Sequence, residues 1–423
     1  SEEHRLIDVS TGQDHLYSGV VHRDRLYITH NDGAPRYRID AVAPERASDR
    51  TAWQPIVPEG EAPIEDVTYA RDRIVVHRME NIASTLRVFR LDGRADGEIE
   101  LPGIGELFGL DSDPETGRVA LGFSSFVHPP SLLEWSTRRR ELRQVDRVQT
   151  DFDFDSVRLD RASVSAADGT AINVYYVHPA NMETNGQNRV LLNGYGGFNV
   201  SLLPGFQRNA LYWVERGGVY AVANLRGGGE FGEDWHRAGN LANKERVFED
   251  FEAVIRWLGG ESGISAPERI AITGGSNGGL LMGAMITRVP DAFRATVSGV
   301  GLYDMLRYHR FPPAELWITE YGSADQAEPF AWLRAYSPYH RVRDGVRYPA
   351  ALITTSDHDT RVHWAHSTKF TARLQEASGE PDPSIYFLMQ REQGHGAGTG
   401  LTDMVLRYVR LYAFIEHYVG RPN

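Results

Sequence analysis

The sequence predicts a mostly parallel, doubly wound α/β sheet preceded by a β-propeller portion of about three blades. Two observations carry this expectation. Paired strand patterns repeat over residues 1–150, and strands alternate with helices over residues 151–423, most of them ending in glycine-rich turns. At 423 residues the chain exceeds the roughly 100–200 residues of one ordinary domain, so two units are expected at those boundaries.

Composition removes several classes. Hydrophobic residues make up 41% and charged residues 24%, which excludes global disorder. No apolar run approaches the roughly 18–20 residues that cross a bilayer, so no membrane partner is expected. A net charge of −12 argues against a nucleic-acid partner held through the phosphate backbone. Cysteine is absent, which removes disulfides, Cys-ligated zinc, iron–sulfur clusters and thiol nucleophiles. Ser1-Glu2-Glu3-His4-Arg5 shows no signal pattern, and the expected compartment, cytoplasm or periplasm, is left open. Only two of the 45 basic residues are Lys, Lys244 and Lys369, a bias read as genomic.

In the first unit, Asp24-Arg25-Leu26-Tyr27-Ile28, Asp72-Arg73-Ile74-Val75-Val76 and Gly117-Arg118-Val119-Ala120-Leu121 are turn-then-strand patterns spaced by 48 and then 45 residues. A second strand follows each, at Arg38-Ile39, Arg87-Val88-Phe89 and Leu132-Leu133. A period of roughly 40–50 residues with several strands in each unit is a propeller-blade pattern; an evenly spaced β-sandwich is the alternative.

In the second unit, 188–192, 219–223, 270–272, 350–353 and 385–389 read as buried strands. Val247, Phe248, Phe251, Val254, Ile255 and Leu258 recur at helical spacing. Met404, Val405, Tyr408, Leu411, Tyr412 and Ile415 predict an amphipathic closing helix.

The strand at 270–272 runs into Gly274-Gly275-Ser276-Asn277-Gly278-Gly279 and then a helical pattern. This is G-x-S-x-G in the strand–turn–helix setting of a nucleophile elbow, where flanking side chains would collide with the strand and helix. Ser276 then needs a base and an orienting carboxylate, in the chain order Ser, Asp, His. Asp359 follows the strand at 350–353 and His395 follows the last strand between two glycines. Asp357 competes with Asp359, and the pattern does not separate them. His358, His363 and His366 fit no standard zinc spacing, so neither metal nor cofactor is expected.

Taken in order, Tyr195-Gly196-Gly197-Phe198-Asn199, Asn224-Leu225-Arg226-Gly227-Gly228-Gly229-Glu230-Phe231-Gly232, the Ser276 elbow, Asp357-His358-Asp359-Thr360-Arg361-Val362 and Gly394-His395-Gly396-Ala397-Gly398 resemble the prolyl oligopeptidase family of serine peptidases. The resemblance implies an α/β hydrolase that cleaves short peptides on the carboxyl side of proline through an acyl-enzyme. It implies Ser276 as nucleophile, Asp359 as orienter and His395 as base, with an oxyanion hole from the Asn277 N–H and the Tyr195 hydroxyl. It further implies an S1 pocket of Phe198, Asn277, Leu302, Trp317, Tyr321 and Val362, with Arg361 on the substrate backbone.

Two departures stand out. Thr360 occupies the place where that family usually has a second Asp. The front is also short: family members carry seven blades and an N-terminal segment, and three blades leave sheet edges open. The expectation is a C-terminal piece of a longer protein, with a separate N-terminal fragment completing the propeller, or else a shortened enzyme. Competing functions are another acyl hydrolase, a family peptidase with a different P1 preference, and a catalytically silent propeller-type interaction protein. No Glu-Glu amine clamp of the dipeptidyl-peptidase branch is visible, and aromatic Trp317 and Tyr321 stand where cleavage after basic residues would need acidic walls.

Overall fold

The computed structural model describes residues 8–9, 15–378, 384–396 and 400–420. The readings on Ser1–Arg5, Ala397 and Gly398 fall outside these residues. The chain divides into two units, one of residues 1–152 with 203–206 and 230–234, the other of 153–202, 207–229 and 235–423.

The first unit holds three four-stranded antiparallel sheets. They comprise Tyr17–His22, Arg25–His30, Arg38–Val42 and Gln54–Val57; Ile64–Ala70, Arg73–Glu80, Ala83–Arg90 and Ala95–Ile99; and Glu106–Ser112, Arg118–Ser125, His128–Ser136 and Leu142–Arg147. The repeat seen in the sequence marks the second and third strand of each blade. Those strands read most clearly because both their neighbours are strands and their apolar side chains fill the cores shared between blades. Arg23 and Arg71 both take positive φ at the first hairpin turn, as two-residue turns require. Tyr27, Ile39 and Val57 of the first blade share a core with Tyr69, Ile74 and Val76 of the second. Val75, Leu86 and Val88 join Val119, Leu121 and Trp135 of the third in another.

The second unit is built on one eight-stranded sheet, bearing out the expected mostly parallel architecture. Its strands are β1 (Val157–Ser165), β2 (Ala171–Pro179), β3 (Val190–Asn193), β4 (Val219–Asn224), β5 (Ile270–Gly275), β6 (Ala295–Gly299), β7 (Ala350–Ser356) and β8 (Ile385–Gln390). Their spatial order is β1-β2-β4-β3-β5-β6-β7-β8. Only β2 runs against its neighbours, so β3 to β8 all end on one side. The helix Lys244–Leu258 buries every apolar position of its predicted stripe. The closing helix, Leu401–Val419, differs from its expected pattern: Tyr412, Ile415 and Val419 are buried, but Met404, Val405 and Tyr408 are exposed. A cavity of about 200 Å³ lies along its middle, between Tyr408 and Leu411 and the strand residues Leu352 and Leu388. No helix among the described residues is long and apolar enough to cross a membrane.

The turn after β6, which carries Leu302, is held from the helix Ala365–Ala377. His366 Nδ1 accepts the N–H groups of Tyr303 and Asp304 at 3.2 and 3.1 Å. An accepting nitrogen must be unprotonated, and burial pushes the His366 pKa down from 6.5 to about 4. The unfolded chain therefore takes up this proton first. The stability contributed is complete above about pH 6.5 and is lost as pH falls toward 4. His77 in the second blade, also pushed down to about 4 by burial, adds to the same slope. His366→Asn, with an amide oxygen in place of the ring nitrogen, is expected to flatten part of the dependence of unfolding free energy on pH across this window. Denaturant titrations at stepped pH measure it, and an unaltered slope would remove His366 from the account.

Candidate active site

The elbow is built by close backbone approach. Between β5 and the helix Asn277–Arg288, Ser276 takes φ 59° and ψ −119°, a left-handed conformation that L-residues rarely adopt. The turn is tight enough that a Cβ on Gly274 would lie 2.6 Å from the Gly278 oxygen, and one on Gly278 would lie 2.7 Å from the Gly194 oxygen. Ser276 N–H donates to the Gly299 carbonyl at 2.9 Å, tying the turn to β6. Asn277 opens the helix, so its N–H has no partner within the helix.

His395 and Asp359 follow β8 and β7. His395 Nδ1 lies 2.7 Å from Asp359 Oδ2. An ionised carboxylate only accepts, so Nδ1 carries the proton and Nε2 is left as the basic nitrogen. The other oxygen, Oδ1, accepts the N–H groups of Arg361 and Val362, both at 2.9 Å. The Asp359 side chain is fully buried, and burial opposes its charge; the His395 bond and these two N–H groups outweigh that and hold its pKa below the usual range. Asp357 faces elsewhere, accepting the Glu392 N–H at 2.7 Å.

The remaining candidates gather around the elbow. Burial pushes the Tyr195 hydroxyl pKa up, and the neighbouring Ser276 side chain pulls it the other way. The Asn277 side chain donates to the Tyr195 carbonyl at 2.6 Å and accepts the Tyr321 hydroxyl at 2.8 Å. Trp317 and Tyr321 lie in consecutive short helices, Ala314–Trp317 and Ile318–Tyr321, and both rings meet Phe198 edge-on, with centroids 6.2 and 5.5 Å away. Leu302 and Val362 are buried, while the Arg361 side chain is exposed.

Sequence reasoning missed a charged cluster here. Glu320, between Trp317 and Tyr321, accepts from Lys244 at 3.1 Å and from the Phe198 N–H at 3.1 Å, with His236 at 2.8 Å. The signal available was one of only two lysines in a chain whose other basic residues are arginines. Of the three histidines near Asp359, His366 holds the Leu302 turn, while His363 accepts the Ala365 N–H and stacks on Phe311. His358 is exposed.

A strained serine on such an elbow, in a sheet of this strand order, places the chain among the α/β hydrolases. More narrowly, the chain belongs to the prolyl oligopeptidase family: residues 204–422 match that family, and residues 2–147 match its N-terminal beta-propeller domain. It is 33% identical over 401 residues to a prolyl endopeptidase of Elizabethkingia miricola, covering 95% of this chain and 56% of that protein. Against a prolyl endopeptidase of Dictyostelium discoideum it is 32% identical, covering 92% of this chain and 51% of that protein. Among solved structures, one from a study of two prolyl endopeptidases superposes with a TM-score of 0.93 at 36% identity, over 97% of this chain and 60% of the other. A post-proline cleaving enzyme from Rickettsia typhi gives 0.86 at 27%, over 97% and 61%. The chain thus spans little more than half the length of these curated relatives.

Proposed function

We propose that this chain carries the catalytic machinery of a serine endopeptidase that hydrolyses short peptides on the carboxyl side of proline. Ser276 attacks the scissile carbonyl, His395 takes its proton and passes it to the leaving amine, and Asp359 holds the imidazole. The Asn277 N–H and the Tyr195 hydroxyl receive the oxyanion. Arg361 hydrogen-bonds the substrate backbone. The observation that carries the proline reading is the aromatic corner of Phe198, Trp317 and Tyr321, joined by the Tyr321 hydroxyl to Asn277, the residue after Ser276. With Leu302 and Val362 it forms an apolar slot in which an indole face stacks on the rigid pyrrolidine ring. The nearby carboxylate, Glu320, is buried and already paired with Lys244, so a P1 Lys or Arg would be desolvated without a partner.

The expected result is that Ala at P1 trails Pro by about 10–200-fold in kcat/KM, because it fills the slot poorly. Trp317→Ala narrows that gap. Peptides identical except for Pro, Ala or Arg at P1 give the comparison. A gap undiminished in Trp317→Ala would sink the stacking argument, and faster cleavage after Arg would sink the proline assignment.

The propeller portion carries a further reading: a separate N-terminal polypeptide supplies the missing blades. The third blade turns one face into the shared core, but on its other face Phe108, Leu132 and Val145 remain 47%, 46% and 49% exposed. Phe108 and Leu132 flank Gly122 in register, so they form one apolar row of the kind a next blade covers. Native mass measurement of the purified protein is expected to show the 47.4 kDa chain together with a second polypeptide, and Leu132→Glu is expected to weaken that complex. A lone, fully active monomer would overturn this reading.

A further inference from the structure

The segment from Tyr195 to Asn199 is strained in a way its own residues do not explain. Gly196, Phe198 and Asn199 all take positive φ, at 63°, 57° and 57°. Gly196 tolerates this freely, but a bulky Phe in that region is an outlier that persists only where its surroundings impose it. The Phe198 ring is also the meeting point of Trp317 and Tyr321, so the backbone conformation at 198 decides where the centre of the aromatic corner stands.

Two backbone bonds close this turn, Val200 N–H to the Gly197 carbonyl and Asn199 N–H to the Gly227 carbonyl, both at 3.1 Å, and a buried ion pair holds its other side. Lys244 Nζ donates to the Gly196 carbonyl at 2.9 Å and to Glu320 Oε1 at 3.1 Å. The same Oε1 accepts the Phe198 N–H at 3.1 Å, and Oε2 lies 2.8 Å from His236 Nε2. One carboxylate oxygen and one ammonium thus grip both ends of the Gly196–Phe198 turn. Side-chain exposure is 1% for Lys244 and 4% for Glu320, so water does not compete for these bonds. Glu320 belongs to the same helical turn as Tyr321 and follows Trp317 by three residues. The clamp therefore joins the backbone of Phe198 to the segment whose rings its side chain meets. The space is also compact: a Cβ on Gly197 would lie 2.8 Å from Lys244 Nζ and 2.7 Å from Asn277 Nδ2. An ammonium fits there, whereas a planar guanidinium is larger, which accounts for a lysine in a chain where 43 of the 45 basic residues are Arg.

We infer that the Lys244–Glu320 pair is a positioning device that holds Phe198 in its left-handed conformation and so sets the preference for proline at P1. The inference rests on the S1 assignment proposed above. The double variant Lys244→Met/Glu320→Gln keeps the volume of the pair and leaves no buried charge unpaired, the exchange a folded protein tolerates best. Its kcat/KM for P1-Pro over P1-Ala peptides is expected to fall at least about tenfold, most of the selectivity that such a slot supplies. In a Phe198→Ala background the same exchange is expected to change the ratio by less than about twofold, because the positioned ring is already gone. Lys244→Met alone, which frees the Gly196 carbonyl and leaves Glu320 its His236 partner, is expected to lower the ratio in the same direction and serves if the double variant does not accumulate. A ratio unchanged in the folded variants, or rates that fall equally for both peptides, would overturn the clamp and leave the S1 assignment standing. A wild-type protein with no preference for Pro would overturn both.

Discussion

Replacing Ser276 by Ala is expected to lower peptide turnover by about 10⁶-fold while leaving the fold intact. Alanine keeps the Cβ, so the backbone at φ 59° is no more strained than before, and the Ser276 N–H bond to Gly299 remains. What disappears is the oxygen that forms the acyl-enzyme. His395→Ala is expected to behave alike, since an unassisted serine hydroxyl is a weak nucleophile. Asp359→Asn is expected to cost somewhat less, roughly 10⁴-fold. The amide oxygen still accepts from Arg361 and Val362, but its NH₂ turned toward Nδ1 favours the wrong imidazole tautomer. Asp357→Asn is expected to retain activity, because that carboxylate serves the Glu392 N–H and not His395. Steady-state turnover and fluorophosphonate labelling check the series. More than a few per cent of activity in Ser276→Ala would remove the nucleophile assignment. A dead Asp357→Asn beside an active Asp359→Asn would move the orienting role.

Tyr195→Phe is expected to lower turnover by roughly 10²–10³-fold, about 2.7–4 kcal/mol of transition-state stabilisation. The elbow contributes one backbone donor, the Asn277 N–H, and an oxyanion hole ordinarily has two. The Tyr195 hydroxyl neighbours the Ser276 side chain, whose oxygen is where the carbonyl carbon would become attached. Burial raises its pKa, with Glu320 pushing the same way, so at neutral pH it remains a protonated donor. Because the oxyanion exists only in the transition state, the loss should fall on kcat with KM little changed. An unaltered kcat, with the same thermal midpoint, would reduce Tyr195 to a packing residue beside Gly194 and Gly196.

Local features of this protein were legible in the sequence because their causes are local. The Ser276 elbow is a steric requirement within a few residues, and the glycines that satisfy it stand beside the serine. The three blades announced themselves through turn-then-strand units that repeat at 48 and 45 residues, each followed by a further strand. Strands with weaker patterns went unread. β1 lies at the sheet edge with few buried positions, β2 beside it breaks its alternation at Tyr175-Tyr176, and β6, Ala295–Gly299, is made of small residues that suit close packing but carry little hydrophobic signal. Pairing across the chain was decided only by the tertiary structure. The strand order depends on which edges meet, and no single segment encodes that. Between Asp357 and Asp359, two residues apart with the same chemistry, the choice rests on which carboxylate the β7 turn aims at a histidine 36 residues later. The Lys244–Glu320 contact spans 76 residues. In the sequence those two are an ordinary helix-start lysine and a glutamate between aromatics, and only burial beside the Gly196–Phe198 backbone makes their charges hold one strained residue in place.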